Sequence, residues 1–346
     1  MPVYNPVIEE IWDIGHMLQH SEAVQGGRGP AEADAGVDAV IVGAGPAGAS
    51  CALWLARLGL TPLLLEAGNA PGGLERDNPH PDNWIAVLPD VTGAQVADNI
   101  ARSLAQAGVV PRLGQRVRMA RPDPAGLLLE GDGPQGAWTL RAPRLVIATG
   151  VRARGLDDRP PQPSPGVLVG PGGHIVAQDY QGLSVAVLGG GDNGFENYDY
   201  VRAHGARTVH LYARSVRAQR QWVERADACD VRIGDYTVDP AGRTVNGQAY
   251  DLILVFHGWA PQADFADGLA LARDARGFIR TDPATAEASL PGVYAIGEAA
   301  QRMHPCVVTA LADGVVAAKA IQAQVEAAAA RRASRNNHPS SGDASP

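Results

Sequence analysis

Residues 39–48 read AVIVGAGPAG, an apolar run that ends in the spacing Gly-x-Gly-x-x-Gly. The run predicts a buried β-strand, and Gly43 permits the tight turn that leaves it. Gly45 lets the backbone approach a pyrophosphate, and Gly48 lets the next helix pack against the sheet. The N–H groups and the positive dipole end of that helix favour an anion. The stretch therefore predicts the first strand, turn and helix of a dinucleotide-binding fold.

An acidic residue follows at the position that this fold requires. The helical pattern of residues 49–58 stops at Gly59, and residues 62–66 read PLLLE. Glu66 stands 23 positions after Gly43, at the end of a second predicted strand, where a carboxylate binds the ribose of a dinucleotide. Because strand, turn, helix, strand and acid arrive in order, a plain glycine turn with a surface glutamate is a poor alternative.

A second stretch repeats the pattern in the middle of the chain. Residues 185–194 read VAVLGGGDNG, a helical segment over residues 195–204 stops at Gly205, and residues 208–212 read TVHLY. One such loop binds one pyrophosphate. Two loops on one polypeptide predict two dinucleotides, with electrons passed from one to the other.

The residues after this second strand are basic rather than acidic. Arg214 and Arg217 come first, and Arg220 follows. An acid here would bind a free ribose 2′-hydroxyl and favour NAD, whereas arginine accommodates a 2′-phosphate in bidentate fashion. We therefore predict NADPH in preference to NADH; the alternative is that these arginines are only a solvated basic face.

Further motifs lie between and after the two loops. Residues 71–74 read PGGL, Asn83 and Trp84 follow, residues 145–150 read LVIATG, and residues 292–298 read GVYAIGE. With these pieces in place, the chain resembles the thioredoxin-reductase-like flavoproteins, which belong to the pyridine nucleotide–disulfide oxidoreductases. The resemblance spans about residues 38–322. It implies an α/β fold of two Rossmann-like domains, with the NAD(P) domain inserted into the FAD domain.

The resemblance also implies which residues hold each cofactor. The expected FAD contacts are Gly43, Gly45, Pro46, Ala47, Gly48, Glu66, Gly73, Leu74, Trp84, Val117, Ala148, Thr149, Gly150, Gly297, Glu298 and Val307. The expected NADP contacts are Gly189, Gly191, Asp192, Asn193, Gly194, Arg214 and Arg217. One position departs from the family, which usually has Asp where this chain has Glu298. The carboxylate remains but is one methylene longer.

The cysteines argue against a dithiol relay. Thioredoxin reductases carry a Cys-x-x-Cys pair shortly before the second glycine loop, and here residues 166–174 read GVLVGPGGH. The three cysteines, Cys51, Cys229 and Cys306, form no close pair. A dithiol relay needs an attacking thiolate and a resolving partner. A thioredoxin reductase of the usual kind is therefore not expected.

Two residues near the last motif are candidate catalytic residues. Cys306 and His304 lie in MHPCVVT, where a helix begins and Pro305 suits its first turn. In the resembled family this helix start points at the flavin. A thiol at a helix N-terminus can have a lowered pKa, so Cys306 and His304 are predicted to reach the flavin edge; the alternative is that both merely pack there. Cys51 is predicted to be a small core residue.

Composition excludes several classes of function. The net charge is −8 and aromatic residues make up 5% of the chain, so nucleic acid is not an expected partner. No apolar run approaches the ~20 residues that span a bilayer, and the N-terminus does not read as a signal peptide. An odd number of cysteines without framework spacing favours a reducing, cytoplasmic location. No metal site is expected.

The motifs divide the chain into segments. Residues 1–36 form an arm with a short helix, residues 37–151 and 260–330 form the FAD domain, residues 152–259 form the NAD(P)H domain, and residues 331–346 form a disordered tail. A homodimer is expected.

The function predicted from the residues and the resemblance is an FAD-dependent NAD(P)H oxidoreductase. It would pass hydride from NADPH to FAD and electrons onward to a ferredoxin- or flavodoxin-type protein or a small molecule. Family members without the cysteine pair include ferredoxin/flavodoxin–NADP reductases, although the aromatic tail of that group is missing here. Two alternatives stay open: a thiol/disulfide oxidoreductase that uses Cys306, and a non-catalytic flavin-binding redox sensor.

Overall fold

A computed structural model describes residues 36–78, 82–157 and 164–336. The arm predicted for residues 1–36 lies outside these residues except for Gly36, as do residues 337–346 of the predicted tail. Within the described ranges, no helix is both long and apolar enough to cross a bilayer.

The first sheet has four parallel strands in the order β17-β6-β1-β2. They are β1 (Ala39–Val42), β2 (Pro62–Leu65), β6 (Leu145–Ile147) and β17 (Val293–Ala295). All four are almost entirely apolar and buried, which is typical of a parallel sheet covered on both faces. Ile41 belongs to the core beneath the helices, and Val40 belongs to the core on the opposite face.

Helices cover one face of this sheet. Helix α1 (Pro46–Arg57) crosses over from β1 to β2, and α2 (Gly93–Gln106) begins at a capping box between Thr92 and Gln95. The opposite face is covered by a three-stranded antiparallel sheet of β3 (Arg116–Asp123), β4 (Gly126–Gly133) and β5 (Gly136–Ala142).

The second sheet has five parallel strands in the order β11-β10-β9-β15-β8. They are β8 (Val167–Val169), β9 (Ser184–Leu188), β10 (Thr208–Ala213), β11 (Val231–Ile233) and β15 (Leu252–Val255). Helices α3 (Gly173–Val176), α4 (Asp192–Ala203) and α5 (Arg220–Val223) accompany them. Because every strand of this sheet lies between β6 and β17 in the chain, the predicted α/β fold with one Rossmann-like domain inserted into the other is confirmed.

A short antiparallel ribbon links the two sheets along the chain. Strand β7 (Val151–Ala153) pairs with β16 (Trp259–Pro261). The domain boundaries that we predicted from the sequence, after residues 151 and 259, both fall inside this ribbon. A small antiparallel sheet of β12 (Val238–Asp239), β13 (Thr244–Val245) and β14 (Gln248–Ala249) precedes β15.

The last helix differs from the sequence prediction at both ends. Helix α6 spans Val307–Asn336, so residues 331–336 are helical, whereas we predicted disorder from residue 331. The run of alanines and arginines around residues 327–332 consists of strong helix formers, which explains the extension. At the other end, the carbonyl of Cys306 accepts the first helical bond, from Ala310 N–H at 3.0 Å. Pro305 therefore precedes the helix rather than lying in its first turn.

Candidate active site

The first glycine loop has no room for side chains. Gly43 has a φ of +104°, and a Cβ there would lie 2.4 Å from the carbonyl oxygen of Ala148. A Cβ on Gly48 would lie 1.9 Å from the carbonyl oxygen of Gly43. Helix α1 begins at Pro46 without a side-chain cap on its N–H groups. The loop therefore combines close backbone packing with uncapped helix donors, which is a site for an anionic phosphate.

Glu66 lies against this loop. Its carboxylate accepts hydrogen bonds from Ala44 N–H and Gly68 N–H, each at 2.7 Å. Strand β2 pairs directly with β1, so the acid comes to the carboxyl edge of the sheet beside the glycines. Each carboxylate oxygen has two acceptor positions, and capacity for ribose hydroxyls remains.

The Gly72-Gly73 segment packs on the same loop. Gly72 N–H donates to the carbonyl oxygen of Ala44 at 2.9 Å, and a Cβ on Gly73 would lie 3.0 Å from the Cα of Gly45. Gly73 begins a 3₁₀ helix (Gly73–Asp77). Leu74 and Trp84, which were also predicted to contact FAD, are exposed by 49% and 76%.

The remaining predicted FAD residues come from distant segments but meet at the same edge. Ala148 N–H bonds to Val42 O at 2.9 Å, which places Ala148, Thr149 and Gly150 beside Gly43. Val117 is half-buried in β3; two residues earlier, Gln115 N–H donates to Glu66 O at 2.8 Å.

The Gly297-Glu298 motif forms a 3₁₀ turn (Gly297–Ala299) against the start of α1. A Cβ on Gly297 would lie 2.8 Å from the Cβ of Ala47, and the φ of Gly297 is +61°. Val307, the first residue of α6, is buried beneath this region. The structure therefore joins three separate segments, at Gly43–Gly48, Gly72–Gly73 and Gly297–Glu298, into one cradle.

Two carboxylates at the cradle have raised pKa values. Burial raises the pKa of Glu298, and the nearby charge of Glu75 raises it further. Burial also raises the pKa of Glu75, against the opposing effect of a hydrogen bond from Asn78. The longer acid at position 298 therefore sits in surroundings that favour its protonated form.

The sequence reasoning missed a buried ion pair behind this turn. Arg302 Nη1 lies 2.9 Å from Asp313 Oδ1, and the two side chains are only 10% and 3% exposed. Asp313 Oδ2 accepts a hydrogen bond from Gly297 N–H at 3.0 Å. A single acid in the apolar run VVTALADGVV was the signal in the sequence that could have identified Asp313.

The second glycine loop repeats the construction of the first. Gly189 has a φ of +143°, and a Cβ there would lie 2.4 Å from the carbonyl oxygen of Phe256. A Cβ on Gly194 would lie 2.2 Å from the carbonyl oxygen of Gly189, whereas a Cβ on Gly191 would meet nothing within 4 Å. Helix α4 begins after Gly191 without a side-chain cap. The open face at Gly191 and the uncapped helix end are the features that a second phosphate site requires.

Two predicted residues of this loop have partners within the protein. Asp192 accepts hydrogen bonds from the backbone and side-chain N–H groups of Gln219, at 2.7 and 2.9 Å. Asn193 accepts from the Asn197 side chain through its carbonyl, at 2.8 Å. The Asp192 carboxylate thus fastens the segment after β10 to the glycine loop.

The predicted arginines lie on that same segment. Arg217 N–H donates to the carbonyl oxygen of Gly190 at 2.7 Å, and a Cβ on Gly190 would lie 2.0 Å from the carbonyl oxygen of Ser215. Arg214 and Arg217 are both exposed, and the Arg214 guanidinium lies 6.0 Å from the ring centre of Tyr236. The backbone of the segment that carries both arginines therefore lies against the second loop.

The three cysteines differ in their exposure to solvent. Cys51 is buried, and burial raises the pKa of its thiol to about 12. Cys229 and Cys306 are exposed. Cys306 Sγ lies 3.4 Å from the hydroxyl of Thr309, which in turn donates to the carbonyl of His304 at 2.7 Å. The candidates Cys306 and His304 thus share one hydrogen-bonded corner at the start of α6, and Cys306 and Glu298 line the same small cleft.

The segment that carries no cysteine pair lies against the cradle. A Cβ on Gly173, the first residue of α3, would lie 3.8 Å from the carbonyl oxygen of Asp77. Asp77 ends the 3₁₀ helix that begins with Gly73. The segment before the second glycine loop therefore reaches the first site with glycine and without a thiol.

Comparison with known proteins agrees with this geometry. The family model for pyridine nucleotide-disulphide oxidoreductase matches residues 37–314. A ferredoxin–NADP reductase from Lactococcus lactis is 26% identical over 76% of this chain and 86% of its own length. A thioredoxin reductase from Listeria innocua is 26% identical over 84% of this chain and 94% of its own.

Solved structures share the fold. The thioredoxin reductase of Lactococcus lactis superposes with a TM-score of 0.68 at 24% identity, covering 84% of this chain and 99% of its own. The thioredoxin reductase of T. acidophilum also gives 0.68, at 22% identity, covering 84% of this chain and 98% of its own.

The family uses FAD and NADPH. The residues present fit both groups, since each glycine loop leads into a helix whose first N–H groups have no side-chain cap. Because the family and its named relatives are reductases, the alternative of a non-catalytic flavin-binding sensor is not retained. Because the family model matches most of the length of this chain, the chain belongs to the pyridine nucleotide-disulphide oxidoreductase family and is an FAD-dependent NAD(P)H oxidoreductase.

Proposed function

We propose that this protein is an NADPH-dependent reductase that delivers electrons from FAD directly to an external acceptor, without a dithiol of its own. The observation that carries the proposal is the approach of Gly173 to Asp77, since a Cβ on Gly173 would lie 3.8 Å from the carbonyl oxygen of Asp77. The segment that reaches the first cradle is glycine-rich, and the three cysteines of the chain provide no pair there. An acceptor must therefore meet the flavin itself.

The first cradle is the proposed FAD site. The uncapped start of α1 binds the pyrophosphate, Glu66 binds the ribose, and the Gly72-Gly73 segment and the Gly297-Glu298 turn close the cradle around the rest of the molecule. Bound FAD supplies a ring that accepts a hydride and releases electrons singly or as a pair. The chain provides the position of that ring and the charges around it.

The second cradle is the proposed NADPH site. The uncapped start of α4 faces the pyrophosphate. Strand β10 is not followed by an acid that would bind the free 2′-hydroxyl of NADH. Arg214 and Arg217 stand next to the loop instead, and guanidinium groups pair with phosphate oxygens more strongly than neutral donors do. The preference for NADPH over NADH rests on these two side chains.

The acceptor is proposed to be a one-electron carrier of the ferredoxin or flavodoxin type, or a small molecule. A second candidate, a thiol/disulfide oxidoreductase, is favoured by one observation, the exposed Cys306 in the cleft shared with Glu298. Such a reaction would need the substrate to bring the second thiol, because Cys51 is buried and Cys229 precedes β11 of the second sheet.

The location and assembly that we propose follow from the same sequence features. An odd number of cysteines without framework spacing is typical of a reducing compartment, and we place the enzyme in the cytoplasm. We also propose a homodimer, for which the measurement is the mass in solution.

Two measurements test the proposed function. Anaerobic stopped-flow mixing with NADPH should bleach the 450 nm band of the FAD-loaded protein within seconds, and NADH should act more slowly. Reoxidation of the reduced protein by ferredoxin, flavodoxin, a quinone and a small disulfide then identifies the acceptor. Flavin that stays oxidised for minutes with NADPH would overturn the proposal, and reoxidation by the disulfide alone would favour the second candidate.

A further inference from the structure

A buried ion pair lies behind the cradle, and no step assigned so far uses it. Arg302 Nη1 and Asp313 Oδ1 are 2.9 Å apart, with side chains 10% and 3% exposed. Arg302 also donates to the carbonyl oxygen of Pro283. Burying two charges is unfavourable unless their geometry is good and their other hydrogen bonds are made. The buried pair of Arg302 and Asp313 is therefore a candidate for a functional role.

The second oxygen of Asp313 shows what the pair holds. It accepts a hydrogen bond from Gly297 N–H at 3.0 Å, a bond that is fully buried. Gly297 begins the turn that presents Glu298, and a Cβ on Gly297 would lie only 2.8 Å from the Cβ of Ala47 in the first turn of α1. A small movement of the Gly297 backbone would therefore change the distance between this turn and the glycine loop.

The helix that carries Asp313 is itself fixed against α1. A Cβ on Gly314 would lie 2.5 Å from Ala47 O and 2.6 Å from Cys51 N. Asp313 is thus anchored to α1 through its neighbour in sequence, and to the turn through its carboxylate. Arg302, which follows the turn by a few residues, closes the connection from the other side.

We propose that Arg302 and Asp313 are positioning residues for FAD, which hold the Gly297-Glu298 turn at the distance from α1 that the cofactor requires. This inference rests on the proposed FAD site. The pair acts through the turn and touches no reacting atom. Because the turn is held in advance, FAD does not have to order it on binding.

The first test is the affinity of the apoprotein for FAD, measured by quenching of flavin fluorescence. Replacing Asp313 by Asn keeps the side-chain volume but removes the charge that holds Arg302. We expect the Kd for FAD to rise about 10- to 100-fold, the loss typical of a hydrogen bond to a charged group. Arg302→Lys, which retains the charge but lacks the fork of donors, should give a smaller rise.

A double variant separates positioning from stability. Arg302→Met combined with Asp313→Leu replaces the pair by apolar side chains, which often leaves a protein as stable as before, but it still removes the acceptor for Gly297 N–H. If the pair positions the turn, the double variant keeps the melting temperature of the wild-type apoprotein and still binds FAD weakly. If wild-type affinity returns together with wild-type stability, the inference is wrong. This variant also decides the matter if Asp313→Asn does not fold.

Two controls complete the design. Asp267→Asn breaks another arginine–aspartate pair of the same half of the chain, Arg273–Asp267 at 2.7 Å, and should leave the Kd for FAD unchanged. Binding of 2′,5′-ADP to the second cradle should be unaffected in all these variants. If wild-type apoprotein does not bind FAD, the proposed site fails; if the wild type and every variant bind FAD equally, only the inference about Arg302 and Asp313 fails.

Discussion

Gly45 and Gly73 meet backbone to backbone, although 27 residues separate them in the chain: a Cβ on Gly73 would lie 3.0 Å from the Cα of Gly45. The contact joins the first glycine loop to the segment that follows Glu66. Gly73 could not carry a side chain here without moving Gly45, whereas a Cβ on Gly45 would lie at an ordinary contact distance of 3.7 Å from the Cα of Gly73. The first cradle therefore depends on contact between two glycine-rich segments.

Substitution of Gly73 tests this contact. Gly73→Ala would place a methyl group against Gly45 at a φ of +59°, where an L-residue is strained by roughly 1–3 kcal/mol. We expect the Kd for FAD to rise at least about tenfold, because the loop must shift. The matched control is Gly59→Ala, which has a φ of +80° but meets nothing within 4 Å. It should lower the stability by the same roughly 1–3 kcal/mol of backbone strain and leave FAD binding intact; equal effects on the Kd for FAD at the two positions would contradict the argument.

Arg214 is expected to select the cofactor. Arg214→Ala should raise the KM for NADPH about 10- to 100-fold through loss of a charge-assisted bond to the 2′-phosphate, and it should change the KM for NADH little. Titration of the apoprotein with 2′,5′-ADP measures the same loss of affinity for the 2′-phosphate in the absence of FAD. Arg225→Ala is the control, because Arg225 also stacks on an aromatic ring, that of Trp222 at 4.8 Å. If Arg214→Ala raised both KM values alike, its role in selection would be excluded.

Tyr236 is expected to support Arg214. The guanidinium lies 6.0 Å from the ring centre, and the Tyr236 hydroxyl pairs with His257 Nε2 at 2.9 Å. A cation–π contact at an exposed site contributes about 0.5–1 kcal/mol. Tyr236→Leu should therefore raise the KM for NADPH about two- to fivefold, whereas Tyr236→Phe keeps the ring and should have a smaller effect. If Tyr236→Phe raised the KM for NADPH as much as Tyr236→Leu does, the role would belong to the hydroxyl and not to the ring.

Cys306 is expected to be dispensable for flavin-based reduction of a non-thiol acceptor. Cys306→Ser should leave the rate of flavin reduction by NADPH within about twofold of the wild type, because Ser retains a hydrogen-bonding group beside Thr309 and no second thiol completes a relay. The measurement is stopped-flow absorbance at 450 nm, followed by turnover with the acceptor found in the screen. A loss of turnover with normal flavin reduction would revive the thiol candidate.

The stability of the apoprotein should depend on pH through Glu298. Burial raises the pKa of Glu298 above its ordinary value of 4.5, with Glu75 adding to the effect, so the folded state binds the proton more tightly than the unfolded chain. The contribution of Glu298 to the free energy of unfolding is therefore full below about pH 4.5 and is lost as the pH rises through the raised pKa. Glu298→Gln removes the titrating group. The melting temperature of this variant should therefore rise relative to that of the wild type as the pH increases from about 4.5 through the raised pKa.

Glu75→Gln provides the companion measurement. If the two carboxylates interact, the effect of Glu298→Gln should shrink in a Glu75→Gln background, since one source of the raised pKa has gone. A melting-temperature difference between the wild type and Glu298→Gln that does not vary with pH would show that burial does not act on Glu298 in this way.

Local glycine patterns were sufficient to predict both cradles. The spacing at residues 43–48 and 189–194 reports where the backbone must turn and where a helix must approach a strand, and these requirements involve residues close in sequence. The acid at Glu66 and the basic end of β10 were found for the same reason. The absence of a thiol pair before the second loop could be read directly from residues 166–174.

Other features depended on contacts between residues that no local pattern connects. The pairing of Arg302 with Asp313, the bond from Gly297 to that carboxylate, and the engagement of Asp192 by Gln219 appear only when α6, the last turn and the segment after β10 are folded together. The extension of α6 to Asn336 was missed because a tail rich in polar residues concealed a run of helix formers.

The amino-acid sequence by itself determined the two parallel sheets, the two glycine loops and the lack of a dithiol, because each follows from residue types a few positions apart. Only the tertiary structure decided how the loops are held, since a buried charge is tolerated only where a distant segment supplies its partner.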